Sequence, residues 1–224
     1  MIRNCKLYLT ESFIEASIVI DNGVVASITK NPPREGYDMV VDANHKPVIP
    51  GGIDIHAHVY DPDFEMNEDW RTGSLAAAYG GLTTLYDMPL RTLTMTPDIV
   101  KKKIENAARN SFVNYGVIAG FVNQNNYKNI PKLAEMGIRG YKVFTARPFK
   151  PDEKAYPYIL ELISDVNGVA IIHAEDDAFI EYGEYRYSQQ DDPTLYHEHR
   201  SGYAEASAII RMGLLALEVE ARIH

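Results

Sequence analysis

Pro50-Gly51-Gly52-Ile53-Asp54-Ile55-His56-Ala57-His58-Val59 decides how this chain is read. A Pro-Gly-Gly break precedes an apolar run, and the run ends in two histidines at i and i+2. Residues two apart on a β-strand point to the same side. His56 and His58 can therefore aim both imidazoles at one point, as a metal site requires. In isolation a His-x-His is more often two unrelated histidines at a strand end. Behind a chain break and a run that reads as a buried strand, it reads as a ligand pair.

Working outward from this stretch, the texture changes on either side. Residues 1–50 read as a small β module: Ser17–Ile20 and Val24–Ile28 flank Asp21-Asn22-Gly23, a hairpin turn signal. From residue 51 strands and helices alternate. The strand candidates are Gly52–His58, Leu82–Tyr86, Asn114–Ala119, Gly140–Phe144 and Val169–His173. Between them, Ser74–Tyr79 is alanine-rich and stops at Gly80-Gly81, a helix C-terminal signal. Thr96 and Pro97 form an N-cap and N1 pair, after which Ile99, Val100, Ile104, Ala107 and Ala108 mark an apolar face. Ala155–Ser164 and Tyr203–Glu220 read as further helices, and Gln189–Pro193 as a polar loop. Such alternation implies a parallel sheet with right-handed crossovers. In a (β/α)8 barrel functional groups sit at the C-terminal ends of strands; His58 and His173 end theirs, and Lys142 lies near the end of its own.

The formal net charge is −9, from 31 acidic and 22 basic residues. That balance argues against nucleic-acid binding and against a basic membrane-surface helix. With 46% hydrophobic and 24% charged residues the composition is that of a globular protein. The lone Cys5 rules out an internal disulfide framework and suits a reducing compartment. No segment approaches the roughly 20 apolar residues of a membrane span, and Met1–Lys6 lacks the apolar core of a signal peptide. A cytoplasmic protein that binds neither membrane nor nucleic acid is the expectation.

Several motifs, in order, resemble the cyclic amidohydrolases: dihydroorotases, allantoinases, hydantoinases and dihydropyrimidinases. Gly51–His58 is similar to the family's first metal motif. Thr72–Thr84 with Asp87-Met88-Pro89 is similar to its next block, Gly140–Phe144 to the segment holding its carboxylated lysine, and Ile172–Asp176 to that holding its third histidine. Arg200, Ala204, Glu205 and Arg211 resemble a later helix motif, with Ser201 where a proline is usual. The resemblance implies an α/β fold with a (β/α)8 TIM-type barrel over 51–224, incomplete at five to six strands, and the N-terminal part of a β-sandwich module over 1–50. It implies two divalent metal ions, most plausibly zinc, held by His56, His58, Lys142 and His173. Lysine is protonated near pH 7, so Lys142 can ligate only after its charge is removed, as carboxylation by CO2 does. Glu175 either orients His173 or begins the next helix, where an acidic group suits the dipole.

The implied reaction is hydrolytic opening of a cyclic amide or ureide ring by a metal-activated water, in an enzyme expected to be a homo-oligomer at full length. The family's further histidine and its general-base aspartate find no counterpart, so the expectation is that these residues are the first part of a longer protein and are inactive alone. His224 is not counted as a ligand. Where dihydroorotases place an arginine and an asparagine for the substrate carboxylate, this chain has Tyr60 and Leu90. Tyr60 and the displaced Arg91 are the substrate-binding candidates. This leans toward an allantoinase- or hydantoinase-like ring, although Phe64–Asp69 leans back toward dihydroorotase. A catalytically inactive, hydantoinase-like scaffold is the alternative from another class. Retention of all four candidate ligands speaks against it.

Overall fold

The computed structural model describes residues 1–9, 11–62, 65–90, 93–187 and 192–224, so most of the polar stretch 189–193 and the candidate Arg91 lie outside the described residues. The chain divides into two compact units, Met1–Gly51 and Gly52–His224.

In the first unit β1 (Ile2–Leu9), β2 (Ser12–Asp21), β3 (Val24–Thr29), β4 (Val41–Asp42) and β5 (Pro47–Val48) form one mixed sheet. The hairpin falls where Asp21-Asn22-Gly23 places it. Asn22 and Gly23 both have positive φ, 48° and 79°, the backbone of the tight turn that matches strand twist. β1 pairs antiparallel with β2 and parallel with β4 and β5. Cys5, Leu7, Ala16 and Ile18 make a small core on one face. A sandwich needs two facing sheets, whereas the described residues of this unit form one. The expectation is for the N-terminal part of such a module only, and a single sheet does not contradict it.

In the second unit the strands are β6 (Gly52–Ala57), β7 (Leu82–Asp87), β8 (Asn114–Val117), β9 (Gly140–Phe144) and β10 (Val169–His173). The helices are α1 (Trp70–Tyr79), α2 (Pro97–Asn110), α3 (Ile130–Glu135), α4 (Tyr156–Asp165), α5 (Asp177–Tyr187), α6 (Tyr196–His199) and α7 (Gly202–Glu218). β6, β7 and β8 pair in parallel, as do β9 and β10. Backbone bonds around Ala119 join β8 to β9, and bonds from Ala170 and Ile172 carry the ladder on to Arg222–His224. The strands thus stand side by side in chain order. The main core lies between β8–β10 and α2, α3, α4 and α7, centred on Val100, Leu133, Tyr141, Ile159 and Met212.

Three local readings are corrected. α1 begins at Trp70, four residues before the expected start at Ser74. Asp69 caps it: its carboxylate accepts from Thr72 N at 2.6 Å, and Asp69 N donates back to the Thr72 hydroxyl. In α2 the inward residues are Val100, Lys103 and Ala107, while Ala108 is exposed. A lysine thus replaces an expected alanine on the buried face. β6 is an edge strand, and Ile53 and Ile55 are 62% and 48% exposed rather than buried, because no described element covers that face.

Candidate active site

β6 ends at Ala57, and its register against β7 shifts between Asp54 and Ala57. Three steps on β6 match two on β7, the mark of a bulge, which re-aims side chains. The His56 and His58 rings accordingly lie edge to face, with centroids 5.6 Å apart. His56 N donates to Asp54 Oδ1 at 2.9 Å, fixing the bulge. His58 Nδ1 lies 2.8 Å from the Met88 carbonyl oxygen. A carbonyl only accepts, so Nδ1 carries the proton and Nε2 presents its lone pair.

Lys142 sits mid-strand on β9 and is only 5% exposed. Burial pushes its amine below the usual lysine range, and no carboxylate among the described residues pairs with it. Its Nζ stands 5.2 Å from the centre of the Phe144 ring. Burial likewise pushes the His56 imidazole below its usual range, and Lys142, His58 and His224 add to that by charge repulsion. The cationic and neutral groups beside Lys142 suit added negative charge on its amine.

His173 ends β10. Its Nε2 lies 2.7 Å from Glu175 Oε2, and Arg200 Nη1 donates to the same oxygen. The Thr145 hydroxyl accepts from Glu175 N and donates to the His173 and Glu175 carbonyls, each at 2.8 Å. Of the two readings of Glu175, the structure supports the first: its side chain orients His173, and α5 begins only at Asp177. With Nε2 held by Glu175, Nδ1 is the nitrogen free to ligate.

A cavity of about 850 Å³ gathers His56, Lys142, His173, Glu175, Arg200 and His224. His58 does not line it but adjoins His56. Among the described residues no three His, Cys, Asp or Glu side chains could hold a metal ion by themselves. The donor types fit a metal site in which Lys142, once its charge is removed, joins the histidines. Among the described residues the imidazoles of His58 and His173 each keep one nitrogen free, and the buried amine of Lys142 has no ionic partner. Tyr60 is also outside the cavity lining. It has a left-handed backbone, φ 65°, and its ring centroid is 6.2 Å from that of His58. His224, set aside on sequence, shares the cavity with His56. Sequence reasoning missed Lys103, whose Nζ pairs with Asp87 Oδ2 at 2.8 Å beneath the His58 segment. Its only sequence signal is a charge at i+3 from Val100 and i−4 from Ala107.

Comparison with known proteins gives the chain's family. Residues 45–216 match the dihydro-orotase-like family model. A dihydroorotase of Methanosarcina acetivorans is 30% identical across the whole of this chain and 48% of its own length. An allantoinase of Bacillus velezensis is 31% identical over 88% of this chain and 45% of its own. Among solved structures, the L-hydantoinase of Arthrobacter aurescens superposes with a TM-score of 0.87 at 27% identity, covering 99% of this chain and 51% of that one. The chain thus spans about half the length of the relatives it matches. By fold, motif order and sequence it belongs to the dihydro-orotase-like family of cyclic amidohydrolases.

Proposed function

We propose that the protein is a metal-dependent hydrolase that opens a cyclic amide or ureide ring. The observation carrying this reading is the gathering of His56, Lys142 and His173, from the ends of β6 and β10 and the middle of β9, around one cavity, with His58 beside His56. The parallel strands, in chain order, belong in this reading to an eight-stranded barrel, whose strand ends hold the reacting groups.

His56, His58, His173 and a carboxylated Lys142 would hold two divalent cations, most plausibly zinc. Bound there, the metals would supply activated water and polarise the ring carbonyl. The chain's own residues do the positioning. Met88 O fixes the His58 tautomer, Glu175 and Arg200 fix His173, and burial of Lys142 favours its uncharged amine, the form that takes up CO2. The test is metal content with bicarbonate present. Lys142→Ala should retain at most one metal where the parent retains two. Equal content in both would remove Lys142 from the site.

For the ring, the uncharged Tyr60 beside His58 favours a substrate without a carboxylate, of the allantoin or hydantoin kind. A site built to pair a buried charge loses its discrimination once the partner is gone. The dihydroorotase reading rests on the Methanosarcina relative. Comparing kcat/KM on allantoin, hydantoin and dihydroorotate separates the two.

A further inference from the structure

Directly beneath His58 lies a buried polar assembly that the chemistry proposed above does not use. Lys103 and Asp87 form an ion pair at 2.8 Å with side chains 3% and 1% exposed. Lys103 Nζ also donates to Asp61 O at 3.3 Å, and Asn106 Nδ2 donates to Asp61 Oδ1 at 2.7 Å. The other Asp87 oxygen accepts from Val59 N at 3.0 Å. Just past the end of β7, Met88 N donates to Ala57 O at 2.7 Å, and Met88 O accepts from the His58 ring. Three consecutive residues, 57, 58 and 59, are thus gripped by the dipeptide 87–88. Lys103, on α2, neutralises the carboxylate that makes one of those grips.

A buried ion pair is a poor device for stability alone, because desolvating two charges costs about what their attraction returns, and apolar replacements are often neutral or better. What this one adds is geometry. Without the lysine, Asp87 would be an unpaired buried charge, favoured to turn away from Val59 N. The segment carrying His58 would then lose one of its three attachments. We infer that Lys103 is a positioning residue that acts through Asp87 and the 87–88 backbone to hold His58 with its proton on Nδ1 and Nε2 free. This inference rests on the reading of His58 as a ligand, yet its first readout needs no metal.

The experiment uses the intact protein, uniformly 15N-labelled and metal-free. The imidazole resonances of His58 are identified by their loss in His58→Gln. The parent should show a single Nδ1–H tautomer. Lys103→Met should show mixed or exchange-broadened His58 nitrogens, and zinc affinity by chelator competition should fall about 10–100-fold, the usual consequence of losing such support. Leu160→Ala, in the core beneath α4 and away from this assembly, should unfold more readily while leaving both readouts at parent values, which separates positioning from general loosening. Lys103→Met with parent tautomer and parent affinity would overturn the inference. Should that variant not fold, Asp87→Ala with Lys103→Met, which buries no unpaired charge but removes the acceptor for Val59 N, replaces it: a disturbed His58 signal upholds the inference and an undisturbed one overturns it. If His58→Gln binds zinc as tightly as the parent, the ligand reading of His58 fails, while the tautomer signal still decides the positioning role.

Discussion

His58 and His173 are seated by opposite means. His58 leans on a backbone carbonyl, and the charges that brace its segment, Asp87 and Lys103, are almost wholly buried. His173 leans on a carboxylate held in turn by Arg200, and the three side chains are 44%, 16% and 32% exposed. The first arrangement depends on groups that water and salt do not reach. The second uses direct charge contact in partial contact with solvent, where the pairing is weaker and responsive to the medium. One site is thereby assembled from a rigid half and an adjustable half.

The largest expected effect breaks the buried half. Lys103→Met leaves Asp87 charged without a partner, which typically costs about 3–5 kcal/mol. Urea unfolding should read that loss, nearly unchanged between low and high salt, and Asp87→Asn added to it should recover much of it. A loss under about 1 kcal/mol for the single variant would mean the pair braces nothing, since removing one partner of such a pair strands a charge. On the exposed side, Glu175→Gln keeps the shape but removes the charge facing both Arg200 and His173. The expected cost is about 1–2 kcal/mol at low salt, less than for a fully buried charged hydrogen bond. That difference should shrink in about 0.5 M salt, where the screening length is only a few ångström. A salt-independent loss would erase the contrast with Lys103.

A third comparison uses pH and turns to a largely buried carboxylate paired with more exposed cations. Burial alone would raise the Asp177 carboxyl, but hydrogen bonds from Lys150 Nζ and Arg147 N, with the charges of both residues, outweigh it and hold the group below the usual carboxylate range. A depressed carboxyl stabilises the folded state above its unfolded pKa of about 3.9 and loses that contribution as pH falls through the folded value. The parent should therefore exceed Asp177→Asn by about 1 kcal/mol at neutral pH. Thermal melts should show the gap closing below the unfolded pKa and gone at about pH 2. A gap that persists there would mean that Asp177 acts by shape rather than charge.

What was legible in the sequence follows the same division. β9 and β10 fall at the residues expected of them, because each is a short apolar run bounded by turn or loop residues. Thr96 and Pro97 start α2 as their chemistry dictates. The pairing of Glu175 with His173 was open to view because the two are close in sequence. The support of His58 was not. Its partner is a backbone carbonyl thirty positions on, and every residue has one. Lys103 hid for a related reason: a charge on an otherwise apolar helix face reads as solvated unless its acid, sixteen residues earlier at the end of β7, is known to lie opposite. The exposure of Ile53 and Ile55 escaped because hydrophobic patterning shows which faces can be covered, not whether a neighbour covers them.

The smallest expected effect is the sharpest control, and it sits two residues from the largest. Lys101, like Lys103, is an α2 lysine with an acidic partner, but its contact with Glu105 is 3.9 Å long and its side chain is 70% exposed. Lysine and methionine have nearly equal helix propensity, so Lys101→Met and Lys103→Met make the same change in composition, net charge and helix preference. They differ in what surrounds the ammonium group. Water solvates Glu105 whether or not Lys101 is present, so Lys101→Met should cost no more than about 0.5 kcal/mol, the worth of an exposed i, i+4 pair. Asp87 has no such recourse once Lys103 is gone. Parallel denaturation curves for the two variants should therefore separate widely. If they coincide, the loss at Lys103 comes from removing a positive charge anywhere on the helix, and the buried brace beneath His58 has no special standing.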